Sequence, residues 1–331
     1  MKVRFFNPAL SYLKHKAEFD SEIQRVLSAG DLILRDDVEK FEENLAKFVG
    51  TKYAVGLNSG TDALYLALKV LGVGKGDEVI VPSHTFVSTI QVIVQCGATP
   101  VLVDMDGKFE ITTKTKVILP VHIAGEVQEI KVPAYEDLYL VEDACQALGA
   151  VKNPTSSAQC WSFYPAKILG AFGDAGALTT NDENIYNEVK ELRGHYKKDY
   201  SKWGINSRMD NLQAACLNIK LKYLPEVLAR RKEIAEIYLK ELKGVGLPNN
   251  QEGRVWQDFI IRTEKRNELY QFLKEQGIET MKNLYPFPIP KLPLSLKYEA
   301  ETLRIPCNEN LKDSEVEYVI EKIKEWTTKS A

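Results

Sequence analysis

The sequence predicts an α/β protein in two parts: a large domain built on a mostly parallel, mixed sheet flanked by helices, and a smaller C-terminal α+β domain. Three observations predict it. Short apolar runs at residues 53–57, 77–82, 101–104, 117–122 and 138–141 alternate with stretches of helical period. Residues 244–253 are rich in Gly, Pro and Asn, and beyond them one strand-like run, 259–262, sits among helical patterns. A chain of 331 residues suits one large core and a second, smaller one. The expected division is 1–235, including an N-terminal arm, and 236–331.

In chain order, residues 18–28 carry an apolar stripe of Ile23, Val26 and Leu27 and read as a helix. Asp36 and Asp37 start a second helix that Gly50 closes. The run 53–57 is a strand, and Asn58-Ser59-Gly60-Thr61-Asp62 turns it into a helix that is apolar nearly all round and therefore buried. Backbone N–H groups and the helix dipole at Ser59-Gly60-Thr61 suit a phosphate, with Gly60 permitting close approach; plain N-capping by Ser59 or Thr61 fits equally well. After the run 77–82, Ser83 to Thr89 form another strand-to-helix turn, where Phe86 either stacks on a flat ring or fills the core. Further strands are expected at 101–104, 117–122 and 177–180, and helices at 184–193, 265–275 and 314–326. A long helix over 212–238 is expected to be interrupted at Pro225.

Composition narrows the function. A net charge of −3 gives no electrostatic case for nucleic acid or an anionic membrane surface. Five widely spaced cysteines without a Cys-x-x-Cys pair, and four histidines without ligand spacing, point away from disulfides and metal sites and toward a reducing compartment. No apolar run reaches membrane-spanning length and the first residues lack signal-peptide shape, so a soluble cytoplasmic protein is expected.

The chemistry concentrates in two stretches. Leu138 to Val141 is a buried strand ending in Glu142-Asp143, with Gln146 three residues further on. Ligands of open α/β sheets bind beyond the carboxyl ends of strands. There, Asp143 and Gln146 suit a pyridinium N–H and a phenolate oxygen, although an Asp at that place also caps helices. In Trp161-Ser162-Phe163-Tyr164-Pro165-Ala166-Lys167, Pro165 ends the ladder and leaves Lys167 on a turn, with Gly170, Gly173 and Gly176 behind it. A lysine so held can form a Schiff base if its amine is partly neutral, whereas taken alone it reads as one more solvated lysine. An Asp paired with a Schiff-base lysine is the mark of pyridoxal phosphate enzymes.

In this order, Asn58 to Leu64, Pro82 to Phe86, Val121-His122, Glu142 to Gln146, Ser162 to Lys167, Gly173 to Ala177 and Gly204 to Arg208 resemble the DegT/StrS sugar aminotransferases. These are pyridoxal 5'-phosphate (PLP) enzymes of the aspartate aminotransferase fold, and the resemblance covers most of the chain. It implies that Lys167 is the Schiff-base lysine and proton carrier, and that Asp143 keeps the ring nitrogen protonated. It further implies that Gln146 bonds the ring hydroxyl and Phe86 stacks on the ring. Gly60, Thr61 and Ser162 would hold the phosphate, with Asn206 reaching it from a second subunit, so that active sites lie at a homodimer interface. The implied reaction moves an amino group from L-glutamate to the C3 or C4 ketone of a dTDP- or UDP-linked keto-deoxysugar, for a surface polysaccharide or another glycan. A keto-inositol substrate, or a non-catalytic PLP-binding regulator on the same scaffold, are the alternatives. A related dehydratase branch carries His where this chain has Lys167. Two departures stand out: residues 105–109 and 127–135 look shortened, so crossover helices should be trimmed and sheet exposed. In addition, Lys282-Asn283-Leu284-Tyr285-Pro286 replaces a His-Tyr-Pro-like run of the sugar pocket.

Overall fold

A computed structural model describes residues 1–128, 130, 138–283 and 289–330. Most of the stretch 127–135 and the run Leu284-Tyr285-Pro286 thus lie outside the described residues. Seven strands form the main sheet: β1 (Tyr53–Leu57), β2 (Glu78–Pro82), β3 (Thr99–Val103), β4 (Thr115–Ile118), β5 (Tyr139–Asp143), β6 (Ala158–Ser162) and β7 (Gly176–Thr180). Their order is β1-β7-β6-β5-β4-β2-β3. All pairs from β6 to β3 are parallel, while β7 runs antiparallel to both β6 and β1. The reason is the connection: β6 and β7 are joined by a loop without a crossover helix, and only a crossover returns a chain to the parallel direction.

The expected helices fill in around this sheet. α1 (Pro8–Lys14), α2 (Lys16–Ala29) and α3 (Asp36–Val49) precede β1, and α3 ends at Gly50 in the left-handed conformation (φ +85°). α4 (Gly60–Val70) and α5 (Val87–Gln95) cover one sheet face, where Val55, Leu57, Val79, Val81, Val117, Leu119 and Val141 pack against Leu64, Leu68, Ile90 and Ile93. On the other face α3 and α7 (Asn211–Glu241) pack over the β1-β7-β6 side, with Phe41, Leu45, Trp161 and Leu217 in contact. α6 (Glu183–Leu192) starts from an Asp182 cap.

The β2-β3-β4 side of that second face has no helix over it among the described residues. Strand residues alternate between faces, so Ile80 and Ile118 point away from α4 and α5. They meet only Val103 and a fringe that includes Phe109, Ile111 and Leu140. Among the described residues between β4 and β5 there is one short 3-10 turn, Ile123–Gly125. Among the described residues, that part of the sheet is thinly covered. A cavity of about 760 Å³ lies against Ile80, Val103 and Ile118 and is closed from the other side by Arg254, Ile260 and Arg262.

A second sheet, β8 (Phe259–Arg262), β10 (Thr302–Ile305) and β9 (Met281–Lys282), is antiparallel in that order. With α8 (Arg266–Glu275), α9 (Pro293–Glu301) and α10 (Asp313–Ser330) it encloses its own core, which includes Phe259, Leu269, Leu303 and Val319. The last turns of α7 enter this core through Ile234, Ala235 and Tyr238, and so does Val3 from the N-terminal arm. The expected break at Pro225 is absent: α7 is one helix of 31 residues. Pro225 is exposed, so water can reach the carbonyl that the missing N–H leaves unpaired. Among the described residues no helix is long and apolar enough to cross a membrane.

Gly125 shows how tightly the two parts meet. Its φ is +82°, and a Cβ there would lie 1.9 Å from the Val255 carbonyl oxygen. Gly125→Ala is expected to destabilise the protein by roughly 2 kcal/mol or more, since positive φ and backbone contact act together. Urea denaturation measures it, and an unchanged midpoint would show that the contact yields.

Candidate active site

The carboxyl ends of β5 and β6 and the start of α4 meet at one place. Gly60 is the first residue of α4, and a Cβ on it would stand 2.7 Å from Cys145 Sγ and 2.8 Å from Ser162 Cβ. Gly176 at the start of β7 is held as closely: its Cβ would lie 2.2 Å from the Ser59 carbonyl carbon. These four segments can close up only because Gly stands at 60 and 176. Ser59 caps α4 by accepting from the Asp62 N–H at 3.1 Å, so the capping reading holds for Ser59. Thr61 beside it is half-buried.

Asp143 ends β5 with 6% of its surface exposed. Its Oδ2 accepts from Thr89 Oγ1 at 2.7 Å, and that hydroxyl accepts in turn from Thr85 Oγ1 at 2.9 Å. Its Oδ1 accepts from the Cys145 N–H at 3.2 Å. No helix follows, so Asp143 caps none; it makes a local turn with its second neighbour instead. His122 acts through its backbone, donating its N–H to the Asp143 carbonyl at 3.0 Å. Gln146 is fixed the other way round: its Oε1 accepts from the Ala124 N–H at 2.7 Å, which leaves the side-chain NH2 as the group it can present. Ala124 holds this position at φ +55°.

Lys167 stands on a turn braced by several backbone hydrogen bonds. The Lys167 N–H donates to Tyr164 O at 2.8 Å and the Ala171 N–H to Phe163 O at 2.7 Å. Gln257 clamps the loop from the far side, accepting from the Ile168 N–H and donating to Ala166 O, each at 3.0 Å. Asp143 and Lys167 share one neighbour, Cys145. Burial pushes the Cys145 thiol well above its usual range, Asp143 adds to that rise, and the charge of Lys167 opposes it. The amine and the carboxylate predicted from sequence therefore act on one small volume.

Phe86 is no core residue: it is 54% exposed, beside the buried Ser83, His84 and Thr85. Asn206 is exposed and its Oδ1 accepts from Arg208 Nε at 3.0 Å. Its neighbour Ser207 ties this segment to the start of α4, donating to Asp62 Oδ2 at 2.7 Å and accepting from the Asn58 N–H at 3.2 Å. The residues that sequence reasoning missed are the supports: Thr85, Thr89, Ala124, Cys145 and Gln257. Thr89 was readable, because two hydroxyls four apart at a helix start share one face. Ala124 and Gln257 carry no local signal at all.

This arrangement fits PLP by its own shape. A cradle at Gly60 that a Cβ would fill, a fixed carboxylate, a side-chain amide with its NH2 outward and a lysine on a braced turn are what a phosphorylated pyridine aldehyde requires. The fold and the site together define a PLP-dependent aminotransferase. The chain belongs to the DegT/DnrJ/EryC1/StrS aminotransferase family, whose match spans residues 14–324. It is 36% identical to the dTDP-3-amino-3,4,6-trideoxy-alpha-D-glucose transaminase of Streptomyces venezuelae over 98% of this chain and 96% of the relative. It is 37% identical to the UDP-2-acetamido-2-deoxy-3-oxo-D-glucuronate aminotransferase of Pseudomonas aeruginosa over 84% of each. The solved structure of S. venezuelae DesV in complex with a ketimine intermediate superposes with a TM-score of 0.88 at 35% identity, covering 98% of both chains. Similar solved chains include forms with PLP and with its amine form, PMP.

Two outcomes test the supports. Thr89→Val removes one hydrogen bond to the Asp143 carboxylate, worth about 1.5–3 kcal/mol, so kcat should fall by on the order of tenfold or more while PLP binding persists. An unchanged kcat would leave Thr89 a packing residue only. Glu299 on α9 accepts from His84 Nδ1 at 2.9 Å and also pairs with Lys291, anchoring the turn that carries Phe86. Burial raises the Glu299 carboxyl, but the hydrogen bonds from His84 and Lys291 outweigh it and hold the group below its ordinary 4.5. A carboxyl lowered by folding stabilises above its unfolded value and loses that contribution as pH falls through the folded one. The stability gap between the native protein and Glu299→Gln should therefore narrow in thermal melts as pH falls from about 5 toward about 3. A gap that stays constant or widens would contradict the assignment.

Proposed function

We propose that the chain transfers an amino group from L-glutamate to the C3 or C4 ketone of a dTDP- or UDP-linked keto-deoxysugar, supplying an amino sugar for a surface polysaccharide or another glycan. Support for the nucleotide-sugar class comes from the relatives on either side of the base choice, one named for a dTDP-sugar and one for a UDP-sugar. The observation that carries the catalytic reading is the packing of Gly60 against Cys145 and Ser162, which draws the phosphate cradle, the Asp143 strand and the Lys167 strand to one point.

PLP, when bound, supplies an electron sink for the carbon that loses its proton. The chain's own residues do the rest. Gly60, Thr61 and Ser162 hold the phosphate at the α4 N-terminus. Asp143, kept in place by Thr89 and the Cys145 N–H, faces the ring nitrogen, and the Gln146 NH2 faces the ring hydroxyl. Phe86 covers one ring face and shields it from water. Lys167 binds the cofactor and afterwards carries the proton between carbons as general acid and base. We read the protein as a cytoplasmic homodimer in which Asn206 completes the partner's phosphate site. The exposure of the large apolar side chains Phe86 at 54% and Tyr164 at 55%, close in sequence to the site motifs, supports a second copy covering them.

The test is purified protein with glutamate and a panel of 3-keto and 4-keto dTDP- and UDP-sugars. 2-Oxoglutarate should form with one sugar class, and Lys167→Ala should lose both turnover and the cofactor absorbance. Turnover retained by Lys167→Ala without an added amine would refute the role of Lys167. Failure with every keto-sugar nucleotide would refute the substrate class.

A further inference from the structure

Beside the Lys167 loop lies a second cavity, of about 440 Å³, which Lys167 shares with residues that the site above does not use. The N-terminal arm contributes Phe6 and Pro8 to its wall, the loop Pro165 and Gly170, and α7 Lys220 and Val227. Lys220 is half-buried there. Its Nζ donates to Gly170 O at 2.6 Å and stands 4.0 Å from the centre of the Phe172 ring.

The charges around it are mostly matched to one another. Lys14 pairs with Glu226 at 3.4 Å, Arg230 with Asp313 at 2.6 Å and Glu309 with Arg231 at 2.8 Å. His15, stacked on Tyr223, is lowered by burial and then by Lys14. Lys167 also lines the space. Lys220 has no carboxylate of its own within ion-pair distance among the described residues, whereas Lys222, two positions on, pairs with Glu18 at 3.1 Å. Burial brings the Lys220 amine down to about 8, with Cys216 and Glu309 pulling weakly the other way. Lys222 is raised instead by its hydrogen bonds to Glu18 and Tyr223. A partly neutral amine facing a cavity of molecular size is a nucleophile for carbonyl carbon.

We propose that Lys220 is a second imine-forming amine of this chain and that the cavity takes small aldehydes. The Nζ lone pair adds to the aldehyde carbon, the oxygen takes the displaced proton, and the carbinolamine loses water. A C=N bond replaces C=O with no change in oxidation state. A neutral imine nitrogen has no hydrogen to donate, so the Gly170 carbonyl loses its partner. The turn that carries Lys167 is then released at its far end. Occupancy of the cavity thereby bears on the catalytic loop from a side that Lys167 itself lines.

The experiment treats the holoenzyme with pyridoxal, an aldehyde without the phosphate that the α4 cradle would hold, then reduces with borohydride and maps peptides by mass. Lys220 should carry the pyridoxyl group and Lys167 the phosphopyridoxyl group, so failure of either assignment is read separately from the other. The rate of Lys220 labelling should be half-maximal near pH 8, and at that pH exceed that of Lys222 by on the order of tenfold or more. Lys220→Arg should abolish the label at this peptide while Lys167 keeps its own. Equal labelling of Lys220 and Lys222, or none on Lys220 by about pH 9, would overturn the proposal and leave Lys220 a structural brace.

Discussion

Where β1 turns into α4, the chain passes directly over the first residue of β7, with a Cβ on Gly176 falling 2.2 Å from Ser59. The rest of the site depends on that contact. It sets the depth of the α4 N-terminus relative to the sheet and lets Gly60 come down onto Cys145 and Ser162. A phosphate cradle is useful only if the ring it anchors reaches both a carboxylate at one edge and an amine at the other. The antiparallel β7 supplies that geometry: inserted between β1 and β6, it brings the start of α4 beside the ends of β5 and β6.

The order of strands and helices was legible because each carries its own period, and the site residues because they fall at strand ends in local runs. Direction was legible only in part. The run 177–180 looks the same in either sense, and what decides it is the absence of a helix between β6 and β7, a property of the loop. β9, β10 and α9 gave no periodic signal, since they are short and their register comes from one another. Pro225 misled for a related reason: a break is predicted from the missing N–H, but the packing of both halves of α7 into two different cores holds the helix straight through it.

The supports of the site were the least legible part. Thr89 is 54 residues from Asp143, Ala124 is 22 from Gln146, and Gln257 is 91 from Ala166. None of these pairs has a spacing rule. Each is fixed by tertiary structure, and Ala124 in addition by a backbone conformation that its residue type disfavours. Local runs in the sequence name candidate groups for the chemistry, whereas coordinates show which groups hold them still.

Among the described residues, the thinnest cover of the sheet and the site lie in different places. On the second face of β2, β3 and β4, apolar side chains such as Ile80 and Ile118 point away from α4 and α5. The reacting groups stand at the strand ends and are held by α4, α5 and the loops after β5 and β6, none of which touches that face. A thin cover there costs buried apolar area, a term that is distributed and that Ile260 and Arg262 of the second sheet partly offset by lining the same cavity. Loss of one close contact at Gly60 would instead displace the cradle relative to Asp143 and Lys167 together. Stability in this protein can be exchanged between regions, but the spacing of the site cannot.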